Sequence, residues 1–541
     1  MHLGANEICD QASLLSTDAK SRAEPSLLEL CRDAKEEGLS KSATRAFFCE
    51  NFCIFAFCMT TTIIIITILG YIAVLFAVAY LSGRRADNAG FFVGNRSSSW
   101  WMVMLAMVGA AMSGVTFVSV PGMVATSGFS YFQMALGFMA GYFVIAFVLI
   151  PLFYKVQIVS VYGYLEERFG TGAYKTGAWF FFISKLLGAS VRLFLICVVL
   201  QPLLFAPYGI PFWVNGAVTV LLVLLYTFQG GVKSLIWTDM LKTVCLVLSI
   251  ALSIWFVLRS LDMSFGEMVA TVRSNPNSRI FYFDDINDTR YFFKQFFAGL
   301  FAVIAMTGLD QDMMQRSLSC KNHRDSQKNM VVSTFLQTLI IFVLLVLGVI
   351  LYTFAARQGI VLEGSTDNMF PTVAIDSSMP IIVGVLFILG LVSSTYSAAG
   401  SALTALTTSF TIDVLGGAKR FDEQRLTAVR KRVHIAMAVA MFAVICTLYA
   451  LGNSNVIDAV YTLASYTYGP ILGLFAFGIL TKWRVRGKFV GLVAIAAPII
   501  CFVLQSNSER WFGGYKFSYE LLIVNALITF VGLLLLIKRQ R

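Results

Sequence analysis

The sequence predicts an all-α, polytopic membrane protein of about thirteen transmembrane helices, and three observations carry that prediction. Only 13% of its 541 residues are charged and 58% are hydrophobic, with a mean hydropathy of +0.77; an ordinary soluble domain is about a quarter charged. The apolar residues collect into thirteen long runs, each near the roughly 20 residues that cross a bilayer. The basic residues gather between alternate runs. Continuous runs of this length exclude the alternating pattern of a membrane β-barrel.

Taken in order, the chain begins with a polar segment. Residues 1–45 hold no apolar core near the start, so no signal peptide is expected. Five of the ten cysteines (Cys9, Cys31, Cys49, Cys53, Cys58) fall before Met59, which is followed directly by TTTIIIITILG, a natural first helix. The expectation is that residues 1–58 are an extension from an upstream start and that 59–541 form the membrane-spanning domain; the alternative is a disordered extracellular tail. The predicted spans then lie near 60–81, 100–125, 130–154, 176–205, 209–228, 234–258, 292–314, 330–355, 380–412, 433–451, 456–480, 488–505 and 518–537. Of the five later cysteines, four sit singly within these spans, where the thiol behaves as a small hydrophobe, and no pair has metal-ligand or redox spacing.

The net charge of +11 does not point to nucleic acid, because of where the charge falls. Arg84, Arg85 and Arg96 follow the first span; Lys155, Arg168 and Lys175 separate the third from the fourth; Arg316, Lys321, Arg324 and Lys328 follow the seventh. Lys419, Arg420, Arg425, Arg430, Lys431 and Arg432 follow the ninth, Lys482, Arg484, Arg486 and Lys488 the eleventh, and Lys538, Arg539 and Arg541 end the chain. Threading thirteen spans in order puts all of these on one side, and the short loops opposite are nearly bare. The positive-inside rule then places the C-terminus in the cytoplasm and the N-terminus outside the cell (inner) membrane. The long loop 259–290, with Arg259, Arg273, Arg279 and Arg290, lies on the outer side, where length weakens the rule.

Two spans are interrupted. The second reads WMVMLAMVGAAMSGVTFVSVPGMV, with Gly109, Ser113, Gly114 and Thr116 together. The seventh reads FFAGLFAVIAMTGLDQDMMQR, with Thr307, Gly308, Asp310, Gln311 and Asp312. They are five spans apart. Paired interruptions at matching places in two halves point to a transporter of inverted repeats with broken helices at its binding site. The competing reading is close packing through small residues. If the helices break, regular hydrogen bonding is lost between Ala110 and Thr116 and between Ala305 and Asp310.

The stretch GGVKSLIWTDMLKT (230–243) resembles the GG-x(5)-WTD-x-x-Q signature of the sodium:solute symporter family. SGVTFVSVPG (113–122), GLDQDMMQRSLSCKN (308–322), ALTALTTSFTID (402–413) and YTYGPILGLFAFGIL (466–480) are similar to further family motifs, in order and register from Met59 onward. The resemblance implies a LeuT-type core of two inverted five-helix repeats, about 99–258 and 291–480, whose first and sixth helices are discontinuous. It implies secondary transport of a small organic solute, usually with sodium, and no cofactor. Carried over by position, one sodium site would use Gly109 and Met112 carbonyls with Ser394, Ser397 and position 398. A second would use Ser397, position 400, Ser401 and Asp239.

The sequence departs from the family at these sites. Position 398 is Ala398 rather than a hydroxyl residue, position 400 is Gly400 rather than an acid, and the signature glutamine is Lys242. A buried charge is expensive unless paired or hydrated, and Asp239 and Lys242 share a helix face. Three readings of Lys242 stay open: a fixed positive group in place of a bound cation, with sodium coupling weakened or replaced by proton coupling; a side chain snorkelling to the cytoplasmic interface; or an ordinary ion pair with Asp239. Restoring the family residues through Lys242→Gln, Ala398→Ser and Gly400→Asp is then expected to raise sodium dependence.

Candidate substrate-binding residues are Ser113, Thr116, Arg192, Thr307, Asp310, Gln311 and Tyr466. A planar guanidinium at mid-span suits a carboxylate, so Arg192 either reads an acidic solute or pairs with Asp310 or Asp312. Three histidines, His2, His323 and His434, and no nucleophile motif speak against an enzyme. A receptor and a channel are the rival membrane classes; concentrative uptake separates both from a transporter. Candidate solutes are sugars, sugar acids, amino acids and other carboxylates.

Overall fold

The computed structural model describes residues 62–63, 65–82, 98–156, 160–228, 231–362, 364–376, 378–451, 456–517 and 519–538. The chain divides into two units, 1–67 and 68–541. The first lies almost wholly outside the described residues, as does the extension expected at 1–58, and the described architecture is that of the second.

Helices make up nearly all of that unit, and among the described residues there are only two isolated β-bridges. In chain order the main elements are α1 (Ile65–Ser82), α2 (Trp100–Ala111), α3 (Gly114–Gly122), α4 (Val124–Val156), α5 (Thr171–Leu200), α6 (Phe212–Thr227), α7 (Gly231–Ser260), α8 (Phe292–Gly308), α9 (Gln311–Ser317), α10 (His323–Gln358), α11 (Ile381–Val414), α12 (Glu423–Leu451), α13 (Val456–Leu480), α14 (Val490–Ser506) and α15 (Leu521–Leu534). Among the described residues nine helices are long and apolar enough to cross a membrane, and eleven if each bent pair counts as one span. The fifth and thirteenth predicted runs coincide with shorter apolar helices, α6 of 16 residues and α15 of 14.

Both predicted breaks are present. Between α2 and α3, Met112 and Ser113 turn to extended backbone (ψ 95° and 169°) and the axis bends by 56°. The freed amides are partly re-satisfied locally, since Ser113 Oγ accepts from Thr116 N at 3.5 Å. Between α8 and α9 the last turn widens to a π-turn over Ile304–Gly308, Asp310 becomes extended, and the axis bends by 72°. Asp310 Oδ1 accepts from the backbone N–H groups of Asp312 at 2.8 Å and Met313 at 3.3 Å. One carboxylate thus ends the break and starts α9, as an N-cap does.

The first break is held by close backbone approach. A Cβ at Gly109 would stand 2.5 Å from Thr243 Oγ1 and 2.6 Å from the Asp239 carbonyl oxygen of α7; one at Gly114 would stand 2.2 Å from Thr395 Oγ1 of α11. Since the Gly109 contact is to backbone, side-chain rotation cannot relieve it. Gly109→Ala is therefore expected to destabilise the protein by about 1–3 kcal/mol, the usual cost of overpacking, read as a lower thermal unfolding midpoint. An unchanged midpoint would show that α2 and α7 are less closely seated.

Candidate functional site

The two breaks open onto one internal cavity of about 150 Å3. Met112, Ser113 and Thr116 reach it from the first break, and Thr307 and Asp310 from the second. Lys185 and Arg192 of α5 face the same space. They are seven residues apart, two helical turns, so one face of α5 presents both. Gln337, Ser401 and Tyr468 complete its polar wall from α10, α11 and α13.

A continuous buried network runs beside the cavity. Ser397 Oγ donates to Asp239 Oδ1. Arg316 Nε donates to Asp239 Oδ2 at 2.8 Å, and Arg316 Nη1 to Asp312 Oδ1 at 2.6 Å. Lys185 Nζ then bridges Asp312 Oδ2 at 2.7 Å and Asp310 Oδ2 at 3.2 Å, and Tyr468 OH donates to Asp310. The chain of contacts joins α11, α7, α9, α5 and α13 around the second break. Arginine's planar fork suits it to hold two carboxylates at once.

This arrangement corrects the predicted Asp239–Lys242 pair. The partner of Asp239 is Arg316, which the fold brings in from 77 residues away. Lys242 does not snorkel either: it is 0% exposed, and its Nζ has no hydrogen-bond partner among the described residues. Arg192 does not pair with Asp310 or Asp312, because the ammonium of Lys185 already holds both. Arg192 makes no ion pair or hydrogen bond among the described residues and stands partly exposed in the cavity wall.

The family's acid at position 400 has no room here. A Cβ on Gly400 would stand 1.8 Å from Tyr226 OH, and that hydroxyl donates to the Tyr396 carbonyl at 2.6 Å. Gly400→Asp alone therefore cannot rebuild a sodium ligand, and the expected gain from the triple substitution falls with it. Ala398 and Ser401 line the cavity; Ser394 Oγ is turned to its own helix, donating to Leu391 O at 3.0 Å.

Two predicted substrate residues point elsewhere. Gln311 Oε1 accepts from Val161 N at 2.8 Å, tying α9 to the segment before the short helix Gly163–Phe169. Tyr466 OH bonds Gln505 of α14. Its neighbour two residues on, Tyr468, takes the cavity position instead. Arg316, read from the sequence as part of the basic loop after the seventh span, is instead 1% exposed within α9, and Gln337 was missed because it carries no local signal beyond polarity in an apolar run. The Lys185–Arg192 spacing was the available clue for Lys185.

The sequence model described as the sodium:solute symporter family matches residues 91–494. The Sodium/sialic acid symporter NanT of Aliivibrio fischeri is 24% identical over 478 residues, covering 85% of this chain and 92% of that protein. Sodium-coupled monocarboxylate transporter 2 of Danio rerio is 26% identical, covering 78% and 67%, and the human Sodium/iodide cotransporter is 25% identical, covering 77% and 65%. A solved structure of a Na+-coupled sialic acid symporter, substrate-bound and outward-open, matches with a TM-score of 0.75 at 19% identity, over 88% of this chain and 99% of that one. The all-α arrangement with two broken helices is thus the LeuT-type fold. The chain belongs to the sodium:solute symporter family of secondary transporters.

Proposed function

We propose that the protein imports a small organic carboxylate with sodium, and that Arg192 reads the carboxylate. The observation that carries this is the guanidinium of Arg192, unpaired among the described residues, in the wall of a cavity whose described acids, Asp310 and Asp312, are held by Lys185 and Arg316. A partly buried arginine with no acid beside it offers its planar fork to a solute carboxylate, which fits it bidentately. Relatives named for sialic acid and for monocarboxylates are in keeping with an acidic solute.

For sodium, the supported position is the first one. Met112 has extended backbone that interrupts helical hydrogen bonding at this break, Gly114 just beyond it packs against Ser394, and a hard cation takes oxygen ligands of the kind such a break supplies. At the second position, Arg316 and the Tyr226 hydroxyl occupy the space and the charge. The cycle then uses one sodium position, with the N-terminus outside and the C-terminus cytoplasmic, the two repeats rocking about the cavity.

Labelled acids screened in proteoliposomes against their own amides test this reading. Acids are expected to enter and to compete with one another, and amides to do neither. Equal uptake of an acid and its amide would remove Arg192 as a carboxylate reader.

A further inference from the structure

We propose that Lys242 and Arg316 together hold a small inorganic monoanion, of chloride size, where α7 meets α9. Lys242 is fully buried and its Nζ has no partner among the described residues. Arg316 is 1% exposed, and its Nη2 is likewise unpartnered although Nε and Nη1 are both engaged. Buried donors are rarely left without an acceptor, and an orphaned one calls for a bound water or ion.

The two orphans flank the same carboxylate. Lys242 lies one turn beyond Asp239 on the same face of α7, and Arg316 is bonded to Asp239 from α9. The charge of Arg316 acts on Lys242, as do those of Asp239, Arg192 and Asp312. Arg316 also lines the cavity.

Charge balance selects the sign of the ion. Among the described residues, the basic groups of the cavity wall and of the buried network beside it are Lys185, Arg192, Lys242 and Arg316; the acids are Asp239, Asp310 and Asp312. Four positive and three negative charges leave one positive in excess, in a setting that screens poorly. That excess favours a monoanion at the two orphaned donors. A solute carboxylate on Arg192 does not serve Lys242, which is absent from the cavity wall. With sodium, carboxylate and the inorganic anion all bound, the count closes at zero.

The test uses the purified full-length protein without sodium or solute, so its outcome does not depend on the carboxylate reading. Chloride is titrated against gluconate at constant ionic strength, following the thermal unfolding midpoint, and binding of radiolabelled chloride is measured by equilibrium dialysis. The wild type is expected to show a saturable rise in midpoint and one saturable chloride site. Lys242→Arg keeps both, and Lys242→Gln loses chloride binding by at least about tenfold. Where Lys242→Gln does not fold, the wild-type dialysis decides alone. No saturable chloride binding in the wild type, as a neutral lysine or a bound water would give, overturns the proposal; so does full chloride binding by Lys242→Gln.

Discussion

Asp239→Asn is expected to destabilise the folded protein by about 3–5 kcal/mol, because it leaves the fully buried Arg316 guanidinium short of one of its two carboxylates. Arg316→Met is expected to do similar damage from the other side, leaving Asp239, among the described residues, with the Ser397 hydroxyl alone. Both variants should lose uptake, since the network fixes α9 beside the second break and so sets where Asp310 and Lys185 stand. The decisive comparison is the double variant Asp239→Asn with Arg316→Met. Removing both charges should cost less than either single change, the pattern expected of a coupled buried pair. Thermal unfolding of the four proteins in one detergent reads the cycle. Additive losses would mean that the two groups act separately.

Replacing Arg192 should give the opposite profile. Arg192→Gln is expected to weaken apparent affinity for an acidic solute by about 2–5 kcal/mol, or roughly thirtyfold to several-thousandfold. Stability should barely change, because Arg192 has no hydrogen bond or ion pair among the described residues to lose. Arg192→Lys keeps the charge but not the fork and should fall between the two. A variant that unfolds while its residual uptake keeps wild-type affinity would instead mark Arg192 as structural.

How much of the molecule is legible in the sequence depends on how far each signal reaches along the chain. The interruptions at Gly109–Thr116 and Thr307–Gln311 are local: a few small, hydroxyl and acidic residues within an apolar run announce a break, and both breaks fall where those residues stand. The buried charges were also visible, since any ionised group in such a run is conspicuous. Their pairing was not. Asp239 and Lys242 look like partners at one turn's spacing, yet a guanidinium from a distant short helix reaches the carboxylate with better geometry. Lys185 and Arg192 share a face, but only the bend after Gly308 decides that Lys185 meets Asp310 and Asp312. Gly400 read as a lost ligand; Tyr226, filling its place from another helix, could not be seen from α11 alone.

The central claim, import of a carboxylate driven by sodium, is tested most directly by accumulation in proteoliposomes of the purified protein. A labelled acid identified by the acid–amide screen is supplied outside, with an inward gradient of either sodium or choline. Accumulation above the external concentration is predicted with sodium, collapsing when the gradient is dissipated, and none with choline. Equal accumulation with choline would contradict the account.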